Sequence, residues 1–256
     1  MRVGENGTYR ALSAQAIRRA AQRGANVIGR CRELVNSGYV LRDKAGGAGV
    51  AEAEDGLASA CGGAWRASWM WRGSSPVSRA PARWRGGQQR GIDRCAGVRA
   101  IYRKAHLWHE ESTIFTAGGR GRRRSSRPRF GRLAVMIHVT ISNSLSGYGC
   151  RRWPALSRRA PVNWALAPRR QGERPAEMVK AQANAAVNRL FIAPLRNERG
   201  VAWIGGSRIV DADGYPLTQS LAGEGMVLAS MDIGAADDKH IGRHNHVHRD
   251  RRLMLY

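Results

Sequence analysis

The stretch EMVKAQANAAVNRLFIA, residues 177–193, decides the fold class of this chain. Residues 177–188 have the apolar periodicity of a helix, and residues 190–193 form a short apolar run that is typical of a buried strand. A helix that leads directly into a buried strand is the repeating unit of layered α/β domains. The stretch therefore predicts an α/β fold.

Elements of both kinds continue on either side of this stretch. A helix is predicted over residues 13–24, with alanine and isoleucine on one face and arginines on the other. A turn is predicted at Asp211-Ala212-Asp213-Gly214. The predicted strands cover residues 25–28, 98–102, 133–137, 201–204, 207–210, 215–217 and 226–232.

Three other segments, residues 61–95, 118–129 and 138–159, have a different composition. They are rich in Arg, Gly, Ala, Ser, Pro and Trp, and we predict no strand or amphipathic helix in them. Residues 61–95 hold four of the eight tryptophans, and their only acid is Asp93. Such a composition is typical of a disordered segment that stacks on single-stranded nucleic acid, or of GC-rich DNA read out of frame.

The formal charge of +24 also raises the question of an anionic partner. A basic nucleic-acid-binding protein is the alternative function. It is disfavoured because the basic segments lack the periodicity of a scaffold that could hold a binding surface. Salt-dependent binding to single-stranded oligonucleotides, compared with that of a random Arg-rich peptide, would discriminate the two functions.

The bulk composition limits the remaining classes. A chain of 256 residues with 43% apolar side chains can fill the core of one large domain. Its cysteines have no Cys-x-x-Cys spacing, so neither a zinc site nor a disulfide framework is indicated. No window reaches the roughly 20 apolar residues of a membrane span. We expect a soluble, cytoplasmic protein with no membrane partner.

Five blocks of the chain carry a family likeness. They are residues 23–28 with 33–39, residues 102–108 with 110–115, residues 130–137, residues 161–164 with 172–175, and residues 188–193 with 205–207 and 249–256. In this order they resemble the carbon-nitrogen hydrolase superfamily of nitrilases and amidases. The best-matching parts are residues 14–56, 98–116, 130–137 and 160–256, within a single domain over residues 1–256.

The resemblance implies a fold and a chemistry. The fold would be a four-layer α-β-β-α sandwich, incomplete in the three disrupted segments, which forms a homo-oligomer if it folds. The substrate would be a small amide, carbamoyl compound or nitrile, with no metal or organic cofactor. Glu33 would be the general base, Lys104 would face the oxyanion, and Glu111 would orient the lysine. Arg32 stands where the family has a proline.

Each assignment has an alternative on the residues alone. Glu33 could be a surface or helix-capping carboxylate, Lys104 a solvated base beside Arg103, and Glu111 a charge at the start of a helix. The histidines at positions 244, 246 and 248 have the spacing of a metal site on one strand face, but a solvated cluster is favoured. Cys150 is disfavoured as a substitute nucleophile.

The expected nucleophile is missing from its position. The family has a cysteine directly after the third block, where this chain has His138-Val139-Thr140. One codon string that encodes residues 138–147 reads Cys-Tyr-Asp-Ile-Glu-Phe-Pro-Glu-Trp when it is started two bases later. We therefore interpret the segment as frame-shifted, with the frame restored just before Pro161. The chain as written is expected to be inactive.

Overall fold

The computed structural model describes residues 6–25, 43, 45, 71–72, 89–94, 97–104, 106–107, 111–118, 133–135, 157–161, 173–174, 176–195, 207–221 and 225–255. Three α-helices lie in these residues: α1 (Asn6–Gln22), α2 (Glu111–Ile114) and α3 (Ala176–Asn188). The strands are β1 (Trp71–Arg72), β2 (Gln89–Arg94), β3 (Gly97–Arg103), β4 (Leu133–Val135), β5 (Ser157–Pro161), β6 (Ile192–Leu195), β7 (His240–Gly242) and β8 (Asn245–His246). Short 3-10 helices cover Ile233–Ala236 and Leu253–Leu255.

The strands form three small sheets. Strands β1, β2 and β3 pair antiparallel, and β7 and β8 form a short antiparallel hairpin. Strands β4, β5 and β6 pair parallel, and α3 lies in the connection from β5 to β6. A parallel pair of strands needs such a crossover connection. The predicted α/β class is thus confirmed.

The best-packed core lies between α3, β6 and the segment that follows β6. Ala181 and Ala185, one helical turn apart, pack with Leu190, Ile192 and Val210, and each is at most 1% exposed. Ile192 and Val210 also exchange both backbone hydrogen bonds, at 3.0 and 2.9 Å. Small alanine side chains allow the helix to approach the strand closely. Four of these five core residues lie within residues 177–193, the stretch that predicts the fold class.

Helix α1 begins earlier than predicted and ends where a glycine permits it. The predicted helix over residues 13–24 is wrong at its start, since α1 begins at Asn6. At the other end Gly24 has a φ of 79°, its N–H donates to Ala21 O, and Ala25 N–H donates to Ala20 O. This is a Schellman cap, which requires a left-handed residue after the helix. The cap places Ala25 against Ile17 and Ala20.

The prediction that the disrupted segments contain no strands is wrong. Strands β1 and β2 lie within residues 61–95, and β5 begins within residues 138–159. Strand β2 pairs with β3 from Gln89 to Arg94, with one irregularity between Ile92 and Asp93. Backbone N–H and C=O groups can form this ladder whatever the side-chain pattern, and for that reason periodicity did not reveal it.

The C-terminal third is less regular than predicted. No strand occupies residues 226–232; this stretch leads instead into the 3-10 helix at Ile233–Ala236, which Asp232 caps by accepting from Gly234 N–H. Residues 207–210 and 215–217 contribute only isolated bridges. The predicted strand over residues 190–193 begins two residues later, at Ile192. Predicted strands over residues 25–28 and 201–204 fall, apart from Ala25, outside the described residues.

The turn predicted at residues 211–214 is confirmed. Gly214 has a φ of 90°, and its N–H donates to Asp211 O at 3.2 Å. The Asp211 carboxylate accepts from the backbone N–H of Asp213 and of Tyr215. A side chain on Gly214 would lie 2.9 Å from Gln182 O, so this turn packs directly on α3.

Among the described residues, no helix is long and apolar enough to cross a membrane.

A buried lysine closes the C-terminal end of α3. The Lys239 ammonium, 4% exposed, donates to Asn188 O at 3.0 Å and to Arg189 O at 2.6 Å. Arg189 ends the helix with a φ of 46°, and its guanidinium donates to Asp213 Oδ1 and Asp238 O. Carbonyl groups at a helix C-terminus lack partners within the helix, and a cation there satisfies them. Lys239 therefore fastens the C-terminal segment to α3.

We expect Lys239→Met to lower the free energy of unfolding by about 1.5–3 kcal/mol, because the carbonyl groups of residues 188 and 189 lose charged donors while the apolar stem is kept. Urea unfolding followed by circular dichroism measures this change. Lys180→Met, on an exposed position of α3, is the matched control and should change stability by less than about 0.5 kcal/mol. Equal effects of the two substitutions would contradict the capping role.

Candidate active site

Two of the three predicted site residues, Lys104 and Glu111, meet in the structure. Lys104 directly follows β3, and Glu111 is the first residue of α2. The Lys104 ammonium lies 2.7 Å from Glu111 Oε1 and 2.6 Å from Oε2, so it contacts both carboxylate oxygens. Charge-assisted hydrogen bonds of this length are among the stronger polar contacts in proteins.

The pair is removed from solvent. The side chain of Lys104 is 0% exposed and that of Glu111 is 6% exposed. Moving two charges out of water carries a desolvation penalty that their attraction only partly offsets, so a buried ion pair is a poor source of stability. Buried ionisable groups with a specific partner are, in contrast, common at functional sites. The burial contradicts the alternative that Lys104 is a solvated base.

The backbone holds the pair from both ends. The Gly118 N–H donates to Lys104 O at 2.7 Å, which ties the backbone after α2 to the residue after β3. The Phe115 N–H donates to Glu111 O at 2.7 Å, and Ile114 and Phe115 are each 5% exposed. The buried apolar residues at the end of α2 anchor the helix that carries Glu111. Glu111 thus begins a helix, as its alternative interpretation proposed, and also binds the lysine.

Gly118 is a site-supporting residue that the sequence interpretation missed. Residues 118–129 were grouped as a disrupted segment, yet Gly118 makes the hydrogen bond to Lys104 O. The signal that could have revealed it is the pair Gly118-Gly119 directly after a helix-like stretch, where a chain commonly turns back. The Glu33 and His138 positions lie outside the described residues, as does Cys150.

The C-terminal histidines form a cluster through contacts between their rings and a contact to Asp238. The ring centroids of His240 and His246 lie 4.9 Å apart with an edge-to-face angle of 86°, and His246 and His248 are 6.2 Å apart. His240 Nδ1 lies 2.8 Å from Asp238 Oδ1. The His240 backbone N–H, and after it the His240 ring, lower the pKa of Asp238. In the described part of the chain, no three His, Cys, Asp or Glu residues are grouped to hold a metal ion.

The sequence matches no protein-family profile and no curated protein. Its fold, however, is shared with solved structures. The amidase NitN from Nesterenkonia sp. AN1 superposes with a TM-score of 0.69 at 20% identity, over 99% of this chain and 94% of the amidase. The Xanthomonas campestris protein XC1258, described as a CN-hydrolase superfamily protein with an arsenic adduct in the active site, has a TM-score of 0.70 at 14% identity, over 92% and 88%.

A third solved structure extends the likeness to a longer protein. The NitFhit protein of C. elegans has a TM-score of 0.70 at 18% identity, and the match covers 91% of this chain and 59% of that protein. Other structures of the Nesterenkonia amidase hold acrylamide, or the acetamide moiety of fluoroacetamide added covalently at the active-site cysteine. At these identities the comparisons show a shared fold.

We expect Lys104→Met and Glu111→Gln each to lower the free energy of unfolding by about 3–5 kcal/mol, since either one leaves a buried polar group without its partner. The double variant Lys104→Met/Glu111→Leu should lose clearly less than the sum of the two. Urea unfolding measures all three.

An exposed ion pair with the same short contact provides the control. Arg189 Nη1 also lies 2.6 Å from Asp213 Oδ1, but the Asp213 side chain is 58% exposed. Asp213→Asn should therefore change stability by less than about 1 kcal/mol. If the losses of stability at residues 104 and 111 were strictly additive and no larger than the loss at residue 213, the Lys104–Glu111 pair would not be buried in solution.

Proposed function

We propose that the chain derives from a carbon-nitrogen hydrolase that cleaves a small non-peptide amide or a nitrile by a Cys-Glu-Lys mechanism. The observation that supports this most strongly is the buried Lys104–Glu111 pair at the end of a strand, in a fold shared with amidases. A buried ammonium that is held by a carboxylate is a fixed source of positive charge. Amide hydrolysis needs such a charge where the oxyanion develops.

The proposed reaction begins with a thiolate. Water is a weak nucleophile toward an amide carbon, whereas a cysteine thiolate attacks it and forms a covalent intermediate. Glu33 is proposed to take the thiol proton and to give a proton to the leaving ammonia. It then takes a proton from the water that attacks the thioester, so that the acid product leaves and the thiol is restored.

Lys104 and Glu111 have different electrostatic roles in this proposal. The Lys104 ammonium stabilises the negative oxygen of each tetrahedral intermediate. Glu111 holds that ammonium through both carboxylate oxygens, at 2.7 and 2.6 Å, so little reorganisation is needed during the reaction. Glu111 is in this sense a positioning residue. The hydrogen bond from Gly118 supports the same geometry by fixing the backbone of Lys104.

The chain as written lacks the nucleophile of this mechanism. The segment after β4 continues with His138 in place of a cysteine. One codon string for residues 138–147, read two bases later, would encode Cys-Tyr-Asp at that point. An imidazole at position 138 cannot form the thioester. We therefore propose that the protein as written is inactive and that activity returns in a restored chain, defined here as the chain with Cys-Tyr-Asp-Ile-Glu-Phe-Pro-Glu-Trp at residues 138–146.

The finer architecture belongs to the same proposal. The proposed fold is a four-layer α-β-β-α sandwich that forms one domain over residues 1–256. The protein assembles as a homo-oligomer through a helical layer. It works in the cytoplasm without a metal or organic cofactor. The substrate is a small amide, a carbamoyl compound or a nitrile. Acrylamide, which one Nesterenkonia amidase structure holds, and acetamide, the moiety that fluoroacetamide adds in another, are suitable first compounds to test.

The function is tested by ammonia release from acrylamide and acetamide. We expect none from the chain as written, and turnover from the chain in which residues 138–146 are replaced by Cys-Tyr-Asp-Ile-Glu-Phe-Pro-Glu-Trp. In the restored chain, Lys104→Met should reduce kcat/KM by about a hundredfold to a thousandfold, as expected for the loss of an oxyanion donor. Glu33→Gln should abolish turnover of the restored chain.

Cys150→Ser in the restored chain is the matched control, because Cys150 has no role in the proposed mechanism. It should leave kcat/KM unchanged within about twofold. An undiminished kcat/KM in Lys104→Met, or ammonia release that depends on Cys150, would contradict the proposal.

A further inference from the structure

The turn at residues 211–214 holds a chemically reactive pair of residues that the proposed hydrolase chemistry does not use. Asp213 is followed by Gly214, and the Asp213 side chain is 58% exposed. In an Asp-Gly pair the aspartate closes readily on the next backbone nitrogen, because glycine has no side chain to hinder the approach. This turn is therefore a candidate for covalent modification of the backbone.

The reaction of such a pair is ring closure followed by hydrolysis. The Gly214 nitrogen bonds to the carboxyl carbon of Asp213 and loses its proton. One carboxyl oxygen leaves as water, with that proton and one from solvent, and a neutral succinimide remains. Water then adds to the main-chain carbonyl carbon of Asp213, the bond from that carbon to the nitrogen breaks, and the nitrogen takes one proton of the water. The product is isoaspartate, in which the chain runs through the side-chain carboxyl carbon.

Ring closure necessarily breaks two contacts of the folded turn. The Gly214 N–H donates to Asp211 O at 3.2 Å, and a succinimide nitrogen has no hydrogen to donate. Asp213 Oδ1 lies 2.6 Å from Arg189 Nη1, and a neutral succinimide cannot form this ion pair. The folded turn thus opposes the reaction at both the attacking nitrogen and the carboxyl group.

The backbone on both sides of the reacting nitrogen is also held in place. The Asp211 carboxylate accepts from the N–H groups of Asp213 and Tyr215, at 2.9 and 2.8 Å. Gln182 Nε2 donates to Gly214 O at 2.9 Å, and Gly214 packs closely on α3. Ring closure therefore requires a local opening of the turn, in which several of these hydrogen bonds are released together.

We propose that Asp213-Gly214 is a latent site of isoaspartate formation, at which the Arg189 ion pair and the hydrogen bonds of the turn slow the reaction. Water is the co-reactant. The product has one additional main-chain carbon in a turn that packs on α3, so modification separates this turn from Gln182. The site is independent of the proposed hydrolase function.

The first test uses the full chain without substitutions. It is incubated at neutral pH with and without guanidinium chloride, and succinimide and isoaspartate are assigned by mass spectrometry with electron-transfer fragmentation. Asp55-Gly56, the other Asp-Gly pair of the chain, calibrates detection in the unfolded chain. We expect modification of Asp213 to be at least about tenfold slower in the native chain than in the unfolded chain. Equal rates in the two states, or no reaction at Asp213 in an unfolded chain that reacts at Asp55, overturn the proposal.

A second test measures the part played by Arg189. Arg189→Met removes the ion pair and should raise the native rate of modification at Asp213 at least about threefold. Ile17→Val is the matched control, because it lowers stability by trimming a buried side chain of α1 and leaves the turn intact. It should leave the rate unchanged within about twofold. Equal acceleration by the two substitutions, or no acceleration in Arg189→Met, overturns the proposal.

Discussion

A buried ammonium group needs protein acceptors in place of water, and this constraint organises the structure around Lys104. Lys104 is fully buried directly after β3, and its ammonium contacts the Glu111 carboxylate. Glu111 is the first residue of the short helix α2. The hydrogen bond from Gly118 to Lys104 O and the burial of Ile114 and Phe115 hold that helix in place. Loss of either charge removes the ion-pair partner of the other in a buried environment.

The second buried lysine solves a different problem with the same chemistry. Lys239 binds the backbone carbonyl groups of Asn188 and Arg189, so this contact is made to a helix terminus. Through it the C-terminal hairpin is joined to the α3–β6 core. The two lysines illustrate that a buried cation can serve a site in one place and a helix end in another, and burial alone does not distinguish these uses.

The sequence predicted the parts of the fold that are governed by local periodicity. The helix over residues 177–188 and the strand over residues 98–102 match α3 and β3 within one residue at each end. Strands β2 and β5 were missed because their side chains show no strand periodicity, while their backbone groups pair with β3 and with β4 and β6. The supposed strand over residues 226–232 has apolar residues but no ladder partner in the described chain.

The candidate site was only partly predictable. The proximity of Lys104 and Glu111 followed from a family resemblance, since no local pattern places a lysine and a glutamate seven positions apart in contact. The Lys239 contacts are long-range contacts with no sequence signature, and the Gly118 contact is signalled only by the pair Gly118-Gly119. Glu33 and the nucleophile position stay predictions, because both lie outside the described residues.

The central claim is that an intact Lys104–Glu111 pair remains in a chain whose nucleophile is displaced out of frame. The most direct test is to sequence the coding DNA from codon 130 to codon 165. The account predicts that the bases encoding residues 138–147, read two bases later, give Cys-Tyr-Asp-Ile-Glu-Phe-Pro-Glu. Codons that do not permit this reading would contradict the claim, because the cysteine would then never have been encoded at this position.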